Sequence, residues 1–203
     1  MREYEEELNK KGIELIAGVD EVGRGPLIGP VVTAAVILPK GYINDEINDS
    51  KKLTEKKREK LYDVIMKDAI AVGIGMCSEK EIDEINILEA TKKAMIKSIN
   101  DLKIKPQHVL IDAVKLNIDI PTTSIIKGDA KSISIAAASI IAKVTRDRML
   151  NEMGKEYPMY DLAKNKGYGT KKHMEALKEY GPCKYHRFSF EPVRIAKEKI
   201  KQL

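Results

Sequence analysis

Cysteine is scarce in this chain: only Cys77 and Cys183 occur, with no CxxC pair and no histidine cluster beside either. That spacing excludes a disulfide framework and a structural zinc site, and reads as two free thiols in a reducing compartment. Long apolar runs are missing too. The longest stretches, 31–38 and 133–142, fall well short of the roughly 20 residues that a membrane span requires. Residues 1–11 mix acids with bases and hold no apolar leader core. No internal repeat, low-complexity segment or coiled coil stands out. The expectation is a cytoplasmic protein with no membrane attachment, monomeric by default.

What is present is 203 residues, enough for one core to bury most of the surface that the unfolded chain exposes. Lys and Arg number 36 against 31 Asp and Glu, a net charge of +5. A mild basic excess favours approach to a polyanion. The arrangement says more than the sum. Several acids lie inside apolar runs, while bases gather at 51–60, 164–172 and 184–187.

Residues 13–20 read as a buried strand ending in two acids, and a Gly/Pro-rich turn leads to a β-branched strand at 31–38. So tight a connection makes the pair antiparallel. Thr54 is placed to cap a helix reaching about 68, with Leu61, Val64 and Ile65 on its apolar side. Alternation of Ile70, Val72, Ile74 and Met76 marks a third strand, and Ser78 with Glu81 forms a capping-box pattern. A longer helix follows over 87–102, facing inward through Leu88, Thr91, Met95, Ile99 and Leu102. Strands are expected at 109–112 and 122–126. A long Ala/Ile-rich helix should run from Ser132 or Ser134 to about 153, with shorter helices at 171–180 and 192–201. The pattern predicts an α/β protein: a five-stranded mixed sheet flanked by helices, with a core at 1–153 and a helical C-terminal extension at 154–203 packed on it.

Acids terminate strands repeatedly. Asp20 and Glu21 close the first, Asp112 closes the fourth, and Asp129 precedes the long helix. Carboxylates that converge repel one another and call for cations. Without histidine or thiolate partners they suit Mg2+ or Mn2+ rather than zinc. Two such ions, about 3.5–4 Å apart, can clamp a scissile phosphate. The plainer readings stand beside this one: each acid is also a competent turn former, and Asp129 a competent helix cap. Gly23-Arg24-Gly25-Pro26 likewise has three readings. It can approach a ligand closely, cradle a nucleotide, or simply turn the chain between antiparallel strands. A nucleotide loop should open into a helix, whereas here two prolines and a strand follow.

In combination these segments resemble ribonuclease HII. GVDEVGRGPLIGP at 18–30 is the most specific match, followed in order by DSKKL at 49–53, LIDA at 110–113 and KGD at 127–129. AAASIIAKVTRD at 136–147, GYGT at 167–170 and HRFSF at 186–190 complete the series. The resemblance implies a ribonuclease H-like fold with two metal ions, and maps the catalytic acids onto Asp20, Glu21, Asp112 and Asp129. It implies that the backbone of Gly23, Arg24 and Gly25 contacts the ribose 2′-hydroxyl, the group that distinguishes RNA from DNA. It also places Tyr168 on the deoxyribose that follows the ribonucleotide; outside the motif, Tyr168 would read as a half-buried ring.

Asp49, Ser50, Lys51 and Lys52 match a loop near the site, the lysines expected on phosphates. Lys143 and Arg146, at i and i+3 of the long helix, are open to phosphate contact or to a solvated face. His173 and His186 are open to structural or phosphate-binding roles. The related ribonuclease HIII carries an added N-terminal domain, for which the twelve or so residues before the first strand leave no room. The implied activity is metal-dependent hydrolysis of RNA in RNA–DNA hybrids, and nicking 5′ of single ribonucleotides in duplex DNA. The alternatives are a catalytically silent nucleic-acid-binding module and a nucleotide-binding enzyme.

Overall fold

In this computed structural model, which describes residues 1–202, five strands form one sheet: β1 (Ile16–Val22), β2 (Val31–Ile37), β3 (Ala71–Cys77), β4 (His108–Asp112) and β5 (Thr122–Ile125). Their order is β3-β2-β1-β4-β5. The β-branched run of β2 pairs antiparallel with both β1 and β3, while β1, β4 and β5 run parallel. The sheet is therefore mixed, with the expected antiparallel first pair.

The helices are α1 (Glu3–Lys10), α2 (Glu55–Asp68), α3 (Glu79–Ile85), α4 (Ile87–Asp101), α5 (Ile133–Glu156), α6 (Leu162–Asn165), α7 (Lys171–Tyr180) and α8 (Glu191–Lys201). Several starts carry side-chain caps, those at Thr54, Ser78 and Ser132 where the sequence signals place them. The hydroxyls of Thr54, Ser132 and Thr170 each accept from a backbone N–H in the first turn, and Ser78 with Glu81 closes a full capping box. Each such cap contributes about 1 kcal/mol.

Helix α5 is buried continuously from Ile133 to Ala142, as a helix apolar on all sides must be. Its alanines let it lie close to the sheet, and a Cβ at Gly18 would overlap the main chain of Ser134. Helix α4 covers the opposite face. Its approach corrects two expectations. In and just before β3 the alternating Ile70, Val72, Ile74 and Met76 are not the most buried set. Gly73 and Gly75 are, because their missing side chains admit the backbone of α4 at Ser98 and Ala94. On α4 the buried face accordingly runs through Ala90, Ala94 and Ser98 beside Met95 and Ile99, while Leu88 is exposed.

Helix α1 lies where only a mixture of charges was legible. Its Glu5 is buried, and its carboxylate accepts from Ser132 Oγ at 2.5 Å and Ser134 N at 3.1 Å, anchoring α1 to the first turn of α5. At the other end α5 runs to Glu156, past the expected boundary at 153. Leu27 and Ile28 of the glycine turn pack into one apolar cluster with Tyr160, Leu162, Leu177 and Val193 of the C-terminal segments. Among the described residues no helix is long and apolar enough to cross a membrane.

The close approach of α4 to β3 gives a first test. Gly75→Ala forces a Cβ against the Ala94 carbonyl and should cost about 3 kcal/mol in urea unfolding. Met76→Ala, at a position that is 37% exposed, should change stability by less than about 0.5 kcal/mol.

Candidate active site

In the parallel register of β1 and β4, Val19 pairs with Ile111. The next residues of the two strands, Asp20 and Asp112, therefore emerge side by side. Carboxylate oxygens of Asp20, Glu21 and Asp112 lie within 4.8 Å of one another. Asp20 Oδ1 accepts from the N–H of Glu21 at 2.7 Å, and Asp112 Oδ1 accepts from the N–H of Gly128 at 2.6 Å. Glycine at 128 eases this closure, since a Cβ there would stand 2.6 Å from the tip of the Ile135 side chain and 3.2 Å from Asp112 Oδ1, and the isoleucine would have to shift.

Asp129 follows in the short 3-10 turn Gly128–Ala130 and is buried. Asp112 is near enough to raise its carboxyl, but Asp129 does not belong to the 4.8 Å group of Asp20, Glu21 and Asp112. Ala113 and Lys127, which flank these acids, both take left-handed backbone angles, φ 53° and 55°. Such conformations cost non-glycine residues of order 1 kcal/mol and gather at functional sites.

Electrostatics within this group are unfavourable by construction. Burial, then Glu21, then Asp112 push the Asp20 carboxyl well above the usual range. Burial raises Glu21 also, with Asp20 and the Arg24 guanidinium pulling it back. Burial, Asp49 and Asp112 raise Asp129. Glu21 Oε2 is buried without a hydrogen-bond partner. Crowded carboxylates with an orphaned oxygen fit divalent cations with hard oxygen ligands such as Mg2+ or Mn2+. Asp49, placed only loosely from sequence, faces Asp129 and caps the 3-10 turn Ser50–Lys52 by accepting from Lys51 N–H.

Beside the acids runs the glycine turn. Arg24 reaches Glu21 at 3.8 Å and is 42% exposed in its side chain. Gly23 has φ +92°, and a Cβ on it would run into the Arg146 side chain; one on Gly25 would stand 3.3 Å from the Tyr168 ring. Tyr168, 46% exposed, thus roofs the turn with an aromatic face turned partly to solvent.

Lys51 and Lys52 are exposed, and Lys143, partly buried, donates to Asp147 at 2.8 Å. Two expectations are corrected. Arg146 is 1% exposed and donates to the carbonyls of Ile28, Pro30 and Lys166, so it neither meets phosphate nor lies on a solvated face. The Ser50 hydroxyl is buried against Ser139 Oγ at 2.7 Å, turned inward to α5. Sequence reading missed Arg187. It is wholly buried and donates to the carbonyls of Gly23, Arg24, Pro26 and Gly29. The signal for it was its place in the HRFSF motif.

Both histidines prove structural. Nδ1 of His186 accepts from Cys183 N–H at 2.9 Å, which leaves the proton of neutral His186 on Nε2, 3.0 Å from Nε2 of His173. His173 then carries its proton on Nδ1, facing the Tyr168 carbonyl at 2.9 Å. The chain Cys183–His186–His173–Tyr168 is satisfied with both rings neutral.

Residues 17–193 match the family described as Ribonuclease HII. A ribonuclease HII from Bacillus cytotoxicus is 59% identical over 194 residues, covering 96% of this chain and 75% of that protein. Among solved structures, ribonuclease H2 from Pyrococcus horikoshii OT3 aligns with a TM-score of 0.81 at 30% identity, over 93% of this chain and 99% of that one. Bst ribonuclease HIII in complex with Mn2+ shares the fold at a TM-score of 0.71 and 16% identity, over 94% of this chain and 71% of that one.

The histidine chain generates a pH prediction. Burial and the neighbouring His173 push the His186 imidazole down to about 3, against about 6.5 when unfolded. The unfolded state binds more protons between those values, so this stabilisation is full above about pH 6.5 and is lost as pH falls. Unfolding free energy should drop by about 2 kcal/mol from this source between pH 7 and pH 5. His186→Asn, whose amide oxygen can still accept from Cys183 N–H, should show a correspondingly shallower pH dependence in urea titrations.

Proposed function

This chain belongs to the ribonuclease HII family and carries that ribonuclease activity, and from that premise we propose how its residues divide the work. The substrates are RNA–DNA hybrids and duplex DNA containing single ribonucleotides. Cleavage falls on the 5′ side of the ribonucleotide and leaves 3′-hydroxyl and 5′-phosphate ends. The observation that carries this reading is the convergence of Asp20, Glu21 and Asp112 within 4.8 Å at the ends of two adjacent strands.

Asp20, Glu21, Asp112 and Asp129 would hold two divalent ions, Mg2+ or Mn2+, with Asp20 and Asp112, side by side on adjacent strands, best placed among them. Bound there, such ions lower the pKa of an attacking water and offset charge on the phosphate oxygens. The protein's own side chains and backbone position the strand. Lys51, Lys52 and Lys143 contact backbone phosphates, and Arg24 can exchange its distant Glu21 partner for one. The backbone of Gly23, Arg24 and Gly25 reads the 2′-hydroxyl. Tyr168 packs on the following deoxyribose, a role supported by its partly exposed ring above Gly25. The catalytic core ends with α5 at Glu156, and the segments after it are a helical extension of the same functional unit. The protein acts as a monomer in the cytoplasm, where Cys77 and Cys183 would stay as the free thiols they are. A silent binding module is disfavoured by the same carboxylates, which would repel a phosphate backbone without cations.

Two experiments test the assignment on a labelled DNA duplex containing one ribonucleotide. Asp112→Asn should reduce metal-dependent nicking at least about 100-fold, because several kcal/mol of charge stabilisation depends on the site. Its unfolding midpoint should hold or rise, since one of the crowded charges is gone; binding without nicking by wild type in both Mg2+ and Mn2+ would refute the nuclease reading. Tyr168→Ala should slow nicking at the single ribonucleotide about tenfold more than cleavage within a long hybrid, as loss of one stacking contact implies. Equal slowing of both substrates would remove Tyr168 from junction recognition.

A further inference from the structure

The glycine turn is held from inside by two buried cations. The Arg187 side chain donates to four carbonyls, Gly29 from Nε, Arg24 and Pro26 from one terminal nitrogen, and Gly23 from the other, at 2.6–3.0 Å. Its main-chain N–H takes the carbonyl of Leu27. Arg146 takes those of Ile28 and Pro30. Along Gly23–Pro30, among the described residues, only the Gly25 carbonyl is left outside these bonds. On the donor side, the Leu27 and Gly29 N–H groups bond to Gly167 and Tyr185. The N–H groups of Gly23, Arg24, Gly25 and the buried Ile28 take no partner among the described residues, so the turn keeps the N–H groups of Gly23–Gly25, with the Gly25 carbonyl, as its hydrogen-bonding edge beside the Tyr168 ring.

We propose that Arg187 is a positioning residue for ribonucleotide discrimination, holding the carbonyls of the turn inward so that its N–H edge faces the 2′-hydroxyl. This rests on the reading that the turn contacts the ribose. A carbonyl rotated outward would set an oxygen against the sugar and phosphate oxygens, so the direction of each peptide determines what the turn accepts. Only a guanidinium supplies a planar fork with enough donors for four acceptors; an ammonium offers three on a single point. Neither buried arginine forms an ion pair among the described residues, so carbonyl dipoles supply their counter-charge. Burial lowers Arg187 to about 9 and Arg146 to about 10, which leaves both charged at neutral pH. Arg187 has no exposed surface; it acts on substrate only through the backbone it holds. Asp83 of α3 secures the segment by accepting from the N–H groups of Phe188 and Ser189.

The test compares binding, without divalent metal, to a DNA duplex with one ribonucleotide and to the same duplex in all-DNA form. Wild type should prefer the ribonucleotide duplex. Arg187→Lys should lose about tenfold of that preference, the worth of a hydrogen bond or two, while all-DNA affinity stays within about twofold. A folded Arg187→Lys that keeps the wild-type preference overturns the inference and leaves the ribose reading standing. Equal wild-type binding to both duplexes overturns the ribose reading and the inference with it. If Arg187→Lys does not fold, Arg187→Gln decides. It buries no uncompensated charge and has donors for at most two of the four carbonyls, so preference should fall about tenfold; an unchanged preference overturns the inference.

Discussion

Mutual repulsion among Asp20, Glu21 and Asp112 is what the surrounding architecture has to withstand. Three carboxylates within 4.8 Å oppose folding unless they are protonated or neutralised. The parallel pairing of β1 with β4 sets two of them side by side by register alone. The N–H of Gly128 holds Asp112, and the left-handed backbone at Ala113 and Lys127 bends the neighbouring segments into place. Helix α5, buried through its first ten residues, backs the sheet so that these strand ends have little room to separate. The fold holds the acids together; a divalent cation is what would make that arrangement favourable.

A second constraint operates beside the first with opposite charge. Arg146 and Arg187 are buried under the glycine turn and satisfied almost entirely by its carbonyls. One comes from α5 and the other from the C-terminal segment, and Leu27 and Ile28 share an apolar cluster with that segment. The extension is therefore integral to the geometry of the turn. The histidine pair ties the same segment to the Tyr168 carbonyl, so both the turn and the ring above it depend on residues 183–187.

Much of this was legible in the sequence where a local rule acts alone. Thr54, Ser78 and Ser132 cap helices because hydroxyl-to-backbone bonds need only a few adjacent residues. The strand-end acids were legible because apolar runs that stop at Asp20 and Asp112 contrast sharply with their neighbours. Other features depended on tertiary approach. The alternation in β3 indicated a strand but not which face lies against α4, since glycines buried under a helix backbone carry no hydrophobic signal. Helix α1 was hidden because Glu5 is buried through a bond to Ser132, 127 residues away. Arg146 was left open between phosphate contact and a solvated face, and Arg187 appeared only inside the HRFSF motif, for one reason: an arginine that binds carbonyls inside a protein has the same letter as one that binds phosphate outside.

The central claim, that the strand-end carboxylates form a divalent-metal centre, is tested most directly without substrate by following thermal unfolding as Mn2+ is added. A ligand bound only by the native state stabilises it by about 2.7 kcal/mol at one hundred times its dissociation constant. The account predicts a saturable rise in the wild-type midpoint that Asp20→Asn largely abolishes. A wild-type midpoint that Mn2+ does not move, or that moves equally in Asp20→Asn, would contradict it.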